Sequence, residues 1–160
     1  MIWHIDVSVA NQTLSLFKNG IEVKSWRIAT ATNGVGEQSG SECTPRGKHY
    51  IRAKIGHNAA TNTVFVGRRA TGETHHPKLR EQYPDRDWIL TRIMWLCGLE
   101  PGKNRLGKVD TMQRYVYIHG CPDDDVMGIP SSHGCVKMRN QDVIELFDLI
   151  PAGTTVNIIE

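Results

Sequence analysis

The chain opens on a two-residue rhythm: Ile5, Val7 and Val9 alternate with polar neighbours, Leu14 and Leu16 repeat the pattern, and Ile21 and Val23 resume it after Asn19-Gly20. Alternation at period two puts every second side chain on one face of a strand, and Asn-Gly between two such runs favours a two-residue hairpin turn because both residues accept positive φ. The spacing predicts an opening β-meander. Residues 26–30 continue it, a polar, glycine-rich loop follows over 32–41, and 49–55 alternate again after Thr44-Pro45-Arg46-Gly47. Val64-Phe65-Val66 reads as a strand and 77–83 as a short helix, whereas the apolar run 88–99 fits either a short helix or a buried strand. Residues 115–119 are β-branched and aromatic enough for a strand. Asn140 is placed to cap a helix over 141–150 with Val143, Ile144, Leu146, Phe147 and Ile150 on its apolar side; Pro151 and Gly153 stop it, and 155–159 form a closing strand. The pattern gives a mainly β fold with one C-terminal helix and an irregular, partly helical insertion over 56–110, without internal repeats.

Composition narrows the function. A length of 160 residues with 39% hydrophobic positions fits one globular domain over 1–160. A net charge of +2 gives no support to a nucleic-acid binder that works by neutralising many phosphates. No apolar stretch is long enough to span a bilayer. The N-terminus has no basic start, apolar core or small-residue cleavage site of a secretory signal, which makes a cytoplasmic location the expectation, or a periplasmic one if the sequence is a trimmed piece. Cys43, Cys97, Cys121 and Cys135 are too sparse for a disulfide framework, in keeping with a reducing compartment. Charge is uneven: residues 46–114 carry 14 Lys and Arg against six Asp and Glu. Such a basic middle suits a carboxylate-rich partner or is a solvated face.

The chemistry concentrates in His119-Gly120-Cys121 and Ser132-His133-Gly134-Cys135. A thiol near its ordinary pKa is mostly protonated at neutral pH, so a nucleophilic cysteine needs a base such as histidine. His119 at a strand end and Cys135 in a glycine-containing connector before a helix can supply that pair. Gly134 lets a substrate approach the backbone, and the amides of His133, Gly134 and Cys135 are candidate donors to an oxyanion. A rival arrangement uses the same residues: His119-x-Cys121 and His133-x-Cys135 can face one Zn²⁺, although structural zinc sites more often space their cysteines by two to four residues. His4, His49, His57, His75 and His76 read as surface or loop residues, and Asp123-Asp124-Asp125 as a solvated turn without the ligand spacing of a calcium loop.

The His119 to Ser132-His133-Gly134-Cys135 spacing, the flanking 136–140 segment, Pro151-Ala152-Gly153-Thr154 and the upstream Thr44-Pro45-Arg46-Gly47 together resemble the YkuD-type L,D-transpeptidase family. The resemblance implies a β-sandwich-type catalytic domain. It makes Cys135 the nucleophile and His119 the base, with the Gly120 carbonyl orienting the imidazole and Ser132, His133 and Gly134 shaping the site. Many relatives have Asn where this chain has Lys137, so any contact made by that Asn is in question. Arg92, Arg105, Arg114, Tyr117, Lys137 and Arg139 are the substrate-binding candidates, and Arg68 and Arg69 are further contributors to a basic cleft. The implied substrate is a peptidoglycan tetrapeptide, cut between diaminopimelate and the terminal D-alanine through a thioester, with no cofactor and with carbapenem-type inhibitors expected. The leading expectation is a cytoplasmic L,D-carboxypeptidase of muropeptide recycling. Its alternatives are a periplasmic cross-linking transpeptidase and, from another class, a non-catalytic peptidoglycan-binding module, which would need neither Cys135 nor His119.

Overall fold

In a computed structural model describing residues 2–160, the opening alternation becomes three antiparallel strands, β1 (Trp3–Ser8), β2 (Thr13–Lys18) and β3 (Ile21–Ala29). Asn19 and Gly20 turn the second hairpin at φ of 51° and 81°, as their residue types foretell. The alternating apolar residues Ile5, Val7, Leu14 and Leu16 are fully buried. Ile21 and Val23 are not: the register between β2 and β3 shifts between Leu16 and Phe17, and both residues face solvent while Trp26 and Ile28 enter the core. A one-residue slip exchanges the two faces of a strand, and the alternation alone does not reveal it.

The next strands are β4 (Gly47–Ile55), β5 (Thr63–Val66) and β6 (Arg69–Thr74); then come the helix α1 (Pro77–Gln82), β7 (Ile89–Gly98), β8 (Tyr117–Gly120) and β9 (Val136–Met138), and finally α2 (Asn140–Leu149) and β10 (Thr155–Ile159). Eight strands are joined in the order β4-β10-β1-β2-β3-β9-β8-β7, and pairing of β4 with β7 closes the sheet on itself. The mainly β class read from the sequence is the one observed, with one large apolar cluster and three smaller ones. Val143, Leu146 and Phe147 of α2 pack in the same apolar cluster as Ile5, Leu16, Met94, Ile118 and Val136. Each such fully buried side chain is worth roughly 1.5–3 kcal/mol of transfer free energy.

Two expectations need correction here. The 56–110 stretch is no irregular insertion, because β7 is a central strand paired with β4, β5 and β8. It is buried almost throughout, so it shows no alternation to distinguish strand from helix. Within this stretch the β5–β6 hairpin, α1 and a 3-10 turn at Gly107–Val109 lie outside the ring. The helix near the C-terminus starts one residue earlier than predicted, with Arg139 at the N-cap. The Asn140 amide instead accepts from Thr91 Oγ1 (2.6 Å) and donates to Asn62 Oδ1 (3.0 Å), tying α2 to β7 and to the loop before β5.

His49, in the middle of β4, differs from the surface or loop position expected of it, while His75 does lie in a loop, before α1, but buried. His75 is buried edge-on against Trp88. His49 sits at the ring's seam, opposite Val156 of β10 on one side and Gly98 of β7 on the other. Its Nδ1 donates to the Gly47 carbonyl (2.9 Å) and its Nε2 meets Thr111 Oγ1 (3.0 Å), which satisfies a neutral ring. Burial pushes its pKa from 6.5 down to about 4. The unfolded chain therefore takes up this proton first as pH falls. The contribution to stability is complete above about pH 6.5 and declines toward pH 4, by about 3 kcal/mol in all at ~1.36 kcal/mol per pKa unit. Urea midpoints measured from pH 7 to pH 4 are expected to fall steeply in the wild type and less steeply in His49→Gln; equal slopes would remove His49 as the cause.

Candidate active site

β8 and β9 are parallel neighbours, with Ile118 opposite Val136 and His119 opposite Lys137. Parallel strands require a long crossover. Residues 121–135 form it, and Cys135 is its last residue, immediately before β9. The turn that carries Cys135 is pinned from both sides. Ser132 Oγ donates to the Cys135 carbonyl (2.5 Å) and accepts from the Gly134 amide (3.2 Å). Thr44 Oγ1 donates to the Gly134 carbonyl (3.0 Å) and accepts from the Ala31 amide (3.0 Å). Gly134 has φ of 129°, and a Cβ there would come within 3.2 Å of the Cys43 carbonyl oxygen, so the position needs glycine.

The thiol of Cys135 is partly exposed. It accepts a hydrogen bond from the Tyr117 amide (3.3 Å) and faces the Tyr115 carbonyl (3.6 Å), beside an apolar wall that includes Phe65, Ile93 and Trp95. Burial raises its pKa to about 12; the Tyr117 amide opposes the rise, Asp87 adds to it, and Arg114 and Lys137 oppose it. His119 is buried. Its Nδ1 donates to the Gly120 carbonyl (2.6 Å), which leaves the Nε2 lone pair for a proton. Burial lowers the His119 pKa, with the Asp87 carboxylate pulling the other way. The resting pair is therefore a thiol and a neutral imidazole. No hydrogen bond joins them among the described residues, and alignment falls to the substrate complex. With the Gly134 amide engaged by Ser132, the amides of His133 and Cys135 have no acceptor among the described residues and suit an oxyanion.

Gly120 does more than spare a side chain. A Cβ there would collide with Asn140 Oδ1 and lie 2.7 Å from the Leu90 carbonyl oxygen, so the carbonyl that orients His119 depends on glycine. His133 is largely exposed and approaches Asp87 at 3.7 Å. Among the described residues no three His, Cys, Asp or Glu side chains converge as a metal site, and the Cys121 thiol turns to the Met138 carbonyl (3.3 Å). The sequence reading overlooked Asp87, whose charge acts on both His119 and Cys135; its exposed position before β7 gives no pattern to find it by.

Most of the basic residues named as substrate contacts are engaged internally. Arg92 is buried over the Phe147 ring and donates to the Ala59 and Thr91 carbonyls (2.8 and 2.7 Å). Arg114 clamps the 36–43 loop through the Gly36, Glu37 and Cys43 carbonyls (3.3, 3.2 and 2.7 Å). Lys137 pairs with Asp125 (3.0 Å), and Arg80 holds the same carboxylate, so Asp125 is no solvated turn residue. Arg105 is exposed in a turn whose carbonyl accepts from Gly102, with no contact to Cys135 or His119. Arg139 is exposed at the α2 N-cap and lines a cavity with Asp123 and Asp142. Tyr117 serves through its backbone amide, its side chain being buried and its hydroxyl bonded by Arg68 (3.0 Å).

A family model for the L,D-transpeptidase catalytic domain, YkuD, matches residues 2–158. The chain belongs to the YkuD family. The probable L,D-transpeptidase YbiS of Escherichia coli is 43% identical over 47 residues, which are 29% of this chain and 15% of that protein. The fold of this YkuD domain also matches the Enterococcus faecium L,D-transpeptidase (TM-score 0.59, 18% identity, 99% of this chain and 50% of that one). L,D-transpeptidase 3 from Mycobacterium tuberculosis, solved with a faropenem-derived adduct, gives a TM-score of 0.61 at 14% identity over 99% of this chain and 61% of that one. The matches thus span less than two thirds of each relative's length.

A neutral pair has a measurable signature. Iodoacetamide labelling of Cys135, followed by peptide mapping, is expected to be slow at pH 7 and to keep rising past the ordinary thiol range. In Asp87→Asn, loss of the nearby negative charge is expected to move the profile to lower pH and speed labelling a few-fold at fixed pH. A plateau already reached at pH 7 would instead indicate a preformed thiolate.

Proposed function

We propose that this domain is a cysteine enzyme of peptidoglycan stem peptides, and more narrowly an L,D-carboxypeptidase that removes the terminal D-alanine from tetrapeptides in the cytoplasm. The observation that carries the enzymatic reading is the combination at the end of β8 and start of β9: a partly exposed thiol, an imidazole with one nitrogen fixed and the other free, and unpaired amides flanking the nucleophile. A pure binding module needs none of these. In the reaction, Cys135 Sγ gives its proton to His119 Nε2 as it attacks the carbonyl carbon before D-alanine. The oxyanion is held by backbone amides, and the leaving amine takes the proton from the imidazolium as the C–N bond breaks. Water then attacks the thioester with His119 again as base, freeing the tripeptide acid and restoring the thiol. A reducing compartment is supported by four cysteines that are all unpaired.

A disaccharide-tetrapeptide is expected to yield the tripeptide and D-alanine, with little dimer or amino-acid-exchanged product, in a timed digest followed by mass spectrometry. Cys135→Ala is expected to retain less than about a hundredth of the activity, since losing a nucleophile costs orders of magnitude. Dominant dimer would move the assignment to cross-linking, and activity surviving in Cys135→Ala would remove the mechanism. Because the structurally similar L,D-transpeptidase LdtMt1 is solved in complex with the carbapenem imipenem, a carbapenem is expected to add once to this chain, at Cys135. An adduct mapping to Cys43, Cys97 or Cys121 would identify a different nucleophile.

A further inference from the structure

The β5–β6 hairpin turns through Gly67 and Arg68, both in the left-handed region with φ of 55° and 64°. Two successive positive φ values match the twist of a tight hairpin, but an arginine gains nothing locally from that conformation and usually disfavours it. Its placement is explained by what it reaches. The Arg68 guanidinium lies 4.7 Å from the Trp95 ring centroid and 4.8 Å from that of Tyr115, and its Nη1 donates to the Tyr117 hydroxyl (3.0 Å). Tyr115 is itself in the left-handed region, at φ of 56°. Strained residues of this kind persist where the surroundings over-determine them, and here two of them meet. Both tyrosines touch the nucleophile through their backbones, Tyr117 by its amide and Tyr115 by its carbonyl.

Charge completes the picture. Arg46, Arg80 and Arg86 each have carboxylate partners, and Arg92 and Arg114 are bound to backbone carbonyls. Arg68 has neither a carboxylate nor a backbone carbonyl partner among the described residues; its one hydrogen bond is to a phenol, and Arg52 approaches the same Trp95 ring (5.7 Å), also without an ion pair. A guanidinium fixed in orientation by two aromatic rings, left without a counter-ion and held on the side chains of the two tyrosines whose backbones contact Cys135, is suited to receive a planar anion through its unused N–H groups. We propose that Arg68 is the carboxylate anchor of the site and sets its specificity for acidic peptides by gripping a substrate carboxylate next to Cys135. The proposal rests on the peptide reading of the site and says which substrate group that site selects.

Two carboxylates of a tetrapeptide have this chemistry, the C-terminal one and the one on the side chain of the third residue, and amidating each in turn tells them apart. Wild-type protein is expected to lose about tenfold to a hundredfold in kcat/KM, mainly through KM, when the gripped carboxylate becomes a carboxamide. Arg68→Gln is expected to lose a similar factor on the acid substrate and almost nothing further on the amide, and Arg68→Lys to fall between, having the charge without the fork. Peptide binding to Cys135→Ala, with and without Arg68→Gln, separates the two ideas by titration calorimetry. Acid-over-amide preference that depends on Arg68 in this inert protein supports the anchor even if the wild type proves unable to turn over the peptide. Turnover in which Arg68→Gln discriminates acid from amide as well as the wild type overturns the anchor and leaves the enzymatic reading standing. Equal binding of acid and both amides by Cys135→Ala overturns it as well.

Discussion

The parallel pairing of β8 with β9 is the constraint from which the site follows. It sets His119 opposite Lys137 and brings the Tyr117 amide to the Cys135 sulfur. It also forces the chain to cross over, since no tight turn can join parallel neighbours. The crossover must then be restrained, and its last turn is held by Ser132 from within and by Thr44 from the loop before β4. Removing water from this corner has a cost for charge. Burial holds the thiol and imidazole neutral, and hydrogen bonds fix only the nitrogen that does not react. The corner stores position and leaves ionisation to the moment of reaction.

The parts of this arrangement that were legible in the sequence are those in which one residue type answers one local requirement. Alternating Ile5, Val7, Leu14 and Leu16 mark strands with one buried face, Asn19-Gly20 marks a turn, and the β-branched and aromatic run up to His119 marks a strand, whereas the three-residue β9 after Cys135 is too short to show a pattern and reads as a connector before the helix. Strand β7 was ambiguous because both its faces are covered, so its apolar residues carry no period. Arg92, Arg114 and Lys137 were recognisable as cations but not as engaged ones, because their partners lie far away in the chain or on the backbone. His49 was misplaced for the same reason. Its burial comes from strands that meet only when the ring closes.

The basic middle of the chain resolves in similar terms. Much of its excess charge is matched by acids outside that stretch: Glu37 and Glu160 on Arg46, Asp124 and Asp125 on Arg80. Net local charge was a poor guide to binding, and the absence of a counter-ion at one oriented guanidinium is the better one. Asp87, paired with the exposed His133, adds a carboxylate whose charge reaches both His119 and Cys135.

The position of β10 has a consequence for how the protein is made. Residues 155–159 are the last strand of the domain to leave the ribosome, yet they lie between β4 and the domain's first strand, β1, to which they run parallel. Until that strand is delivered, β1 and β4 have an open gap between them on that side of the sheet. The Thr44 that pins the nucleophile turn lies just before β4. A nascent domain thus has its thiol translated before its cradle is finished, and the arrival of β10 closes the sheet next to the strand that Thr44 precedes.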